Sequence, residues 1–389
     1  MTTAGSYRTG TPSASLEQAR ALVLRHGWNA MAYQILNPGL RHWFSAATGS
    51  GPGAVIGYVL AGRYRVVAGA PVCAPERLAE TAAEFAAEAR RAGDRVCYFG
   101  AQDRLIDVLA EHGPTSVLLL GAQPSWNPLH WPALLDGKAS LRAQLARARN
   151  KNVIVRPWPA AAAAEHHAAL ERCLREWLER RGLPPMHFLV EWNVLSRLLD
   201  RRLFVAERTG QAIGFLIASP IPLRNGWLIE QIIRGRAAPN GTAELLLDTA
   251  IRSLAAEGAG YVTLGLSPLS QAVRQEPPPP WHIRAVLAWV RAHGKRFYNF
   301  EGLEHFKSKF QPEEWEPIYA VTNRPRISTA TLHAIAGAFG GTSPVLFIGR
   351  ALLRAVRQEA YWATRGSGKG KKENGAPGGA PPMPRTRLR

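Results

Sequence analysis

Three cysteines, Cys73, Cys97 and Cys173, are all that the 389 residues contain, and no two share a paired spacing. That excludes a disulfide framework and a thiolate zinc site, and buried thiols in a reducing compartment are expected. Cys73 and Cys97 sit in apolar runs of strand type, where thiols are usually inert, so a cysteine nucleophile is not expected. Apolar runs are short as well: none reaches about 18 uninterrupted residues, and no membrane span is expected. The first residues, Met1-Thr2-Thr3-Ala4-Gly5-Ser6, lack the charged-then-apolar pattern of a signal peptide, and the expected location is cytoplasmic. Missing too are G-x-S-x-G, H-E-x-x-H, C-x-x-C and the Walker loop, which removes elbow-type serine hydrolases, zincins, dithiol redox enzymes and P-loop NTPases. Gly49-Ser50-Gly51-Pro52-Gly53 has no helix pattern after it and reads as a loop rather than a dinucleotide fingerprint.

Acidic residues are also in short supply, 29 against 48 Lys and Arg, which leaves a net charge of +19. Part of the excess lies after Tyr361, where Arg365, Lys369, Lys371, Lys372, Arg385, Arg387 and Arg389 face Glu373 alone in a Gly/Pro-rich stretch. Such a stretch cannot build a core and is expected to be disordered. The remaining excess favours anionic partners such as tRNA, phospholipid headgroups or CoA, although a solvated basic surface would carry the same charge.

What is present fits two domains, with 46% hydrophobic residues to fill two cores. Residues 1–14 read as a loose N-terminus. Ser15 to His26 reads as a helix capped by Ser15, with Leu16, Ala19, Leu22 and Val23 on one face. Val55–Leu60 and Tyr64–Ala68 predict a hairpin, Pro75 opens an alanine-rich helix to Arg91, Val96–Phe99 is a buried strand and Leu105–Glu111 another helix. Lys138, Arg142, Arg147, Arg149, Lys151 and Arg156 make the densest basic segment. Leu141 and Leu145 give it an apolar stripe, so a helix with a basic open face is expected there, as a solvated face or as a contact for tRNA or phosphate. A helix follows from Ala162 to Arg181; His166 and His167 within it have no third ligand at metal spacing and read as surface or packing residues. Gly182-Leu183-Pro184-Pro185 marks the junction between lobes. Beyond it, Leu203–Glu207 and Ile213–Ala218 form a hairpin, and Trp227–Arg234 is a third strand.

That third strand opens the most informative stretch. It breaks at Ala238-Pro239-Asn240-Gly241-Thr242, an amphipathic helix with Leu247, Ile251 and Leu254 follows to Gly258, and Tyr261–Leu264 starts a further strand. A strand feeding a helix through a Pro/Asn/Gly loop predicts an anion site at the helix amides, suited to a transferase with a phosphate-bearing substrate. Three motifs, "APNGT", "LGLSPLS" and "FYNFEGLEHFKSKFQPEEWEPIYA", carry a resemblance to the cytosolic catalytic domain of the phosphatidylglycerol lysyltransferase family. It is closest over roughly 200–325 and looser over 15–195. Members move an amino acid from aminoacyl-tRNA onto a membrane lipid with two fused acetyltransferase-like (GNAT) lobes.

The resemblance implies an α/β fold of mixed sheets: a GNAT (acyl-CoA N-acyltransferase)-like scaffold lobe at 15–182, a catalytic lobe at 186–325, an amphipathic helical segment at 326–361 and a basic tail at 362–389. It implies no metal and no cofactor, with aminoacyl-tRNA as co-substrate and an anionic membrane lipid as partner. An aminoacyl ester is already activated, so direct attack by a hydroxyl needs positioning, one acid/base group and oxyanion stabilisation. Arg234, at the mouth of its strand, is placed to clamp a phosphate or ester oxygen. Family members usually carry an acidic residue three positions earlier; here that position is Gln231, with Glu230 beside it and, by strand alternation, on the opposite face. Asn240 and Gly241 shape the loop, with a turn role for Asn240 equally open. If 303–309 is helical, Leu303, Phe306 and Phe310 face the core. Lys307 and Lys309 then lie about 200° apart, so only one enters a cleft, and Lys307 is preferred. Tyr298, Asn299 and Glu301 are further candidates for the substrate cleft, with capping as the alternative for the last two, and Trp315-Glu316-Pro317 reads as structural. Arg142, Arg147, Arg149 and Lys151 are the tRNA or phosphate candidates. Leu332, Ile335, Ala336 and Phe339, with Arg350, Arg354 and Arg357 farther on, predict a basic amphipathic element over 329–360, lying on the inner face of the membrane or packing back. Two other readings stand beside this one. The first is an acyl-CoA-dependent N-acyltransferase, weakened by one glycine where an R/Q-x-x-G-x-G/A run is usual. The second is a non-catalytic basic protein that binds tRNA or membrane.

Overall fold

The computed structural model describes residues 14–46, 53–180, 188–189, 194–294 and 300–340. In chain order these begin with α1 (Ala14–His26), β1 (Arg41–Phe44), β2 (Ala54–Ala61), β3 (Tyr64–Ala68), β4 (Val72–Cys73), α2 (Leu78–Arg91), β5 (Arg95–Ala101), α3 (Asp103–Glu111) and β6 (Ser116–Trp126). The expected hairpin forms as β2 and β3, turning on Gly62, whose φ of 61° suits glycine. Pro75 opens a single 3-10 turn before α2, as its fixed φ and missing N–H favour at a helix start. Next come α4 (Trp131–Gly137), α5 (Ala139–Arg149), β7 (Val153–Trp158), α6 (Ala160–Glu165), α7 (His167–Glu179), β8 (Arg202–Arg208), β9 (Gln211–Ile221) and β10 (Gly226–Arg234). The chain closes with α8 (Thr242–Ala256), β11 (Tyr261–Thr263), β12 (Ser267–Pro268), α9 (Trp281–Gly294), α10 (Phe300–Ser308), β13 (Glu314–Thr322) and α11 (Thr329–Gly340).

The strands join one mixed sheet in the order β1-β2-β3-β5-β13-β6-β11-β10-β9-β8-β7, with β4 on β2 and β12 on β6. Two halves of the sheet meet where β6 pairs with β11. The junction read at 182–185 falls outside the described residues, and the sheet divides the chain differently there. β7, N-terminal to that junction, pairs with β8 in the second half. β13, near the end of the described chain, is inserted between β5 and β6 of the first, running from Glu314↔Ser125 to Thr322↔Ser116.

Each half buries apolar side chains on both faces. In the first half, α1 and α11 cover one face and α2 and α3 the other. In the second, α5 and α8 lie on one face and α7 on the other. Alternation along β8 and β9 sorts them: Phe204, Leu216 and Ala218 point to α8, whereas Val205, Phe215 and Ile217 point to α7. Burial of each large apolar side chain contributes about 1.5–3 kcal/mol.

Three expectations are corrected here. The basic segment 138–156 is not one helix: α5 stops at Arg149, and the β-branched run Val153-Ile154-Val155 makes β7, so Arg156 sits on a strand. The helix expected over 162–181 is two, broken at His166, whose backbone leaves the helical region. The membrane element at 329–360 is α11 in its described part, and α11 packs inward. Thr331, Ala334, Ile335 and Ala338 are buried, and Phe339 stacks edge-on against Phe99 and Phe188 at centroid distances of 5.0 and 5.3 Å. Residues 341–361, with the tail 362–389 and the start 1–13, lie outside the described residues.

A buried carboxylate ties the halves together. Glu316 on β13 accepts two hydrogen bonds from Arg224 (2.6 and 3.0 Å), one each from Gln102 (2.8 Å) and Gln123 (2.7 Å), and one from the Tyr261 hydroxyl (3.0 Å). The Arg224 guanidinium also lies 3.5 Å from the centroid of the Tyr261 ring and 5.2 Å from that of Trp28. Gln102 in turn accepts from Asn29, which also donates to the Gly100 carbonyl (2.9 Å). Asn29 thereby fills the gap where β3 and β5 part: a Cβ at Gly69 would come 2.8 Å from its Oδ1. Burial alone would raise the Glu316 pKa, but the hydrogen bonds from Arg224, Gln123 and Tyr261 outweigh it and hold the carboxyl below the ordinary value. Glu316→Gln leaves a part-buried Arg224 without its charge partner. Urea unfolding should show a loss of about 3 kcal/mol with an unchanged slope.

Candidate functional site

The sheet opens in its second half. β10 and β11 pair in parallel only over Gly226–Leu228 with Tyr261–Thr263. Beyond that, β10 slips register at Glu230 and continues along β9 to Arg234. The chain leaving β11 turns the other way and joins β6 as β12, Ser267↔Ala122 and Pro268↔Gly121. Two parallel neighbours therefore part at their carboxyl ends, the position at which α/β sheets bind ligands. No described strand pairs with the open edge of β10, and alternate backbone groups between Gln231 and Arg234 turn towards the opening. Close approach shapes the opposite wall: a Cβ at Gly121 would fall 2.1 Å from the Ser267 carbonyl oxygen, and one at Gly265 3.0 Å from the Leu228 side chain.

That wall is gripped by α10, which brings two of the sequence motifs together. Glu304 accepts from the Ser270 hydroxyl (2.9 Å) and the Gln271 amide (3.2 Å). Lys307 donates from Nζ to the carbonyls of Gly265 (2.7 Å) and Leu266 (2.9 Å), and the residue is 4% exposed. Burial lowers its pKa from 10.5 to about 7, with no carboxylate to hold the charge. Lys309 also points inward. It lies past the last residue of α10, so helical spacing does not set its direction, and it pairs with Glu244 while resting over the Phe306 and Phe310 rings.

The helix terminus that should have bound an anion is closed. Gly241 holds φ at 95°, and a Cβ there would fall 2.2 Å from the Gln144 carbonyl oxygen of α5. Thr242, Ala243, Glu244 and Leu245 are buried behind it. The Thr242 hydroxyl donates to the Pro239 carbonyl (2.7 Å), and the first turn carries its own carboxylate, Glu244, paired with Lys309. Packing of α5 against α8 therefore takes the place of a ligand.

Of the remaining candidates, Arg234 is exposed at the end of β10 and makes no ion pair among the described residues. Glu230 sits at the register slip, where strict alternation with Gln231 breaks down. It is engaged by Arg201, Nε to Oε1 at 2.7 Å and Nη2 to Oε2 at 3.3 Å, in a pair whose side chains are both buried. Register places Gln231 opposite Ile217, on the α7 side. Asn240 is exposed beside the closed terminus, and Glu301 is exposed on α10. Tyr298 and Asn299 lie outside the described residues. On α5, Leu141, Leu145 and Ala148 are buried as the stripe required. Arg142 caps α4 through the Leu135 and Asp136 carbonyls, and Arg149 bonds the buried Asp248 (3.0 Å). Arg147 donates to Gln144 of its own helix (3.3 Å), and Lys151 is exposed.

Sequence reasoning passed over Asp248 and the Glu316 cluster. Asp248 accepts from Trp131 (2.9 Å), Arg149 and Arg252 (2.8 Å), and is a buried carboxylate one turn after Glu244 in an otherwise apolar helix face. That misplaced charge in the stripe containing Leu247 and Ile251 was the signal available. Glu316 stood inside a motif read as structural; Arg224 carried no signal at all.

The family described as "Phosphatidylglycerol lysyltransferase, C-terminal" matches residues 20–322. The C-terminal domain of a putative lysylphosphatidylglycerol synthetase from Agrobacterium fabrum superposes with a TM-score of 0.71 at 23% identity, covering 84% of this chain and 98% of that one. A structure titled L-PGS from Bacillus licheniformis gives a TM-score of 0.70 at 19% identity, covering 83% and 95%. A conserved protein of unknown function from Bacteroides thetaiotaomicron gives 0.57 at 13% identity, covering 80% and 97%. No curated protein sequence matches the chain.

Lys307 makes stability depend on pH in a defined direction. The unfolded chain keeps this proton up to about pH 10.5, whereas the folded chain releases it at about 7. Between those values the unfolded state binds more protons, so stability rises with pH. Urea midpoints measured from pH 7 to 10 should climb in the parent and climb less in Lys307→Met; identical slopes would show that Lys307 is not desolvated.

Proposed function

The chain belongs to the phosphatidylglycerol lysyltransferase C-terminal family, and from that membership we propose that it transfers an aminoacyl group from aminoacyl-tRNA to a hydroxyl of an anionic membrane lipid. The observation that carries this reading is the opening between β10 and the 264–268 loop, with the exposed Arg234 at the end of β10 and the desolvated Lys307 in the other wall. The lipid hydroxyl oxygen attacks the ester carbonyl, a new C–O bond forms, and the bond to the tRNA ribose oxygen breaks as the tetrahedral intermediate collapses. Lys307, titrating at about 7, is suited to take the hydroxyl proton and return it to the departing ribose oxygen. Arg234 is suited to hold the lipid phosphate or the developing oxyanion. Arg147, on the open side of α5, and Lys151, in the turn just past its end, supply charge for the tRNA backbone.

The closed α8 terminus favours this reading over an acyl-CoA donor. Its first turn is buried under α5, so its amides are not open to a pyrophosphate. The bulged Glu230 does not substitute for the family's acidic residue at Gln231, because Arg201 consumes its charge. Recognition of the amino acid's ammonium therefore falls to other groups, and the chain can differ from its relatives in the residue it transfers.

Incubating the protein with charged tRNA and phosphatidylglycerol vesicles, followed by mass spectrometry of the lipids, tests the reaction. An aminoacylated lipid is expected, with Arg234→Ala lowering kcat/KM on the order of a hundredfold. A protein that yields no modified lipid with any amino acid would refute the proposal. Arg147→Ala with Lys151→Ala should weaken tRNA binding evenly across tRNAs and lower its salt slope by about two.

A further inference from the structure

An exposed aromatic face stands beside the site. Helix α9 packs inward through Ile283, which is buried, and Leu287, which joins the core of the first half. Its other side should be polar on a helix washed by water. Instead, Trp281 is 78% exposed and Trp289 54% exposed, two turns apart and about 80° apart around the axis, with Ala285 and Ala288 exposed between them and Val286 alongside. These are the two most exposed tryptophans among the described residues, and they share one helix face. No acidic residue occurs anywhere in α9. Arg284 is exposed next to the aromatic face, and Arg291 flanks it while donating to the Leu269 carbonyl (3.0 Å). That last bond attaches α9 to the loop whose neighbouring carbonyls Lys307 holds.

We infer that α9 is a membrane-docking helix, which lies in the headgroup layer of an anionic leaflet with Trp281 and Trp289 inserted. Indole rings partition to the boundary between headgroups and acyl chains, because an apolar body and one N–H suit both sides. Arginine beside them, and no carboxylate on the helix, match a negative lipid surface. The choice of lipid over a protein groove follows from that charge pattern and rests on the lipid-acceptor reading above. Docking through α9 would bring the crevice down to the leaflet, so that a headgroup reaches it while its acyl chains stay in the bilayer. Helix α11, whose apolar side is spent on the core, is unsuited to that role.

Vesicle co-sedimentation of the full-length protein tests the inference without any donor, so its outcome is independent of whether transfer occurs. The parent should sediment with phosphatidylglycerol vesicles and only weakly with phosphatidylcholine vesicles. Trp281→Ala with Trp289→Ala removes two exposed rings. It should lower the partition coefficient about tenfold or more, with circular dichroism and Tm preserved. Leu199→Ala, at another exposed apolar position, should change nothing. Arg284→Gln should weaken binding and flatten its salt dependence. Parent protein that ignores anionic vesicles, or a double variant that binds them as well as the parent, would overturn the assignment. In the second case the attachment lies in residues 341–389 or on another surface. Vesicle binding lost in the double variant, together with no transfer by the parent, would retain the docking helix and refute the reaction.

Discussion

The architecture hangs on one carboxylate with five hydrogen bonds. Glu316 takes donors from Gln102 after β5, Gln123 on β6, Arg224 before β10 and Tyr261 on β11, four segments spread across both halves of the sheet. A buried charge is costly unless its partners are all in place, so the cluster acts as a condition on assembly more than as a source of affinity between halves. When β13 is in register, Glu316 is satisfied; when it is displaced by one residue, the carboxylate faces the wrong side of the sheet and Arg224 is left alone.

That fixed seam allows the adjacent opening to be a defined shape. β11 is bonded to β6 on one side and to β10 on the other, but for three residues only, and its continuation is then drawn to β6 by β12. The equivalent parting of β3 and β5 in the first half is filled by Asn29. Each half thus contains one parallel pair that parts, β3 with β5 and β10 with β11.

Much of this was legible from periodicity. The β2–β3 and β8–β9 hairpins, α1, α2 and α8 follow turn residues and apolar spacing, and the two motifs around "LGLSPLS" and "FKSKF" do meet in space, through Glu304 and Lys307. What escaped the sequence was set by long-range packing. The pattern at 329–340 is equally suited to a bilayer or a core, and only Phe99 and Phe188 decide for the core. An anion site at the start of α8 was a sound local expectation, undone by a helix about a hundred residues upstream that presses its carbonyl against Gly241. Lys309 pairs inward because the helix ends one residue before it, a boundary that spacing alone does not define. Glu230 was judged by alternation, which a register slip suspends.

The insertion of β13 between β5 and β6 also dictates when the protein can fold. During synthesis from the N-terminus, β5 and β6 are made some two hundred residues before the strand that must lie between them. Until then each offers an unpaired, apolar edge of the kind that pairs wrongly with another chain. The nascent first half must either wait as an open sheet or pair prematurely and come apart again. Late closure of the sheet follows from that topology. Helix α10 immediately precedes β13, so Lys307 reaches its loop in the same late event, and the crevice acquires its second wall only when the seam between β5 and β6 closes.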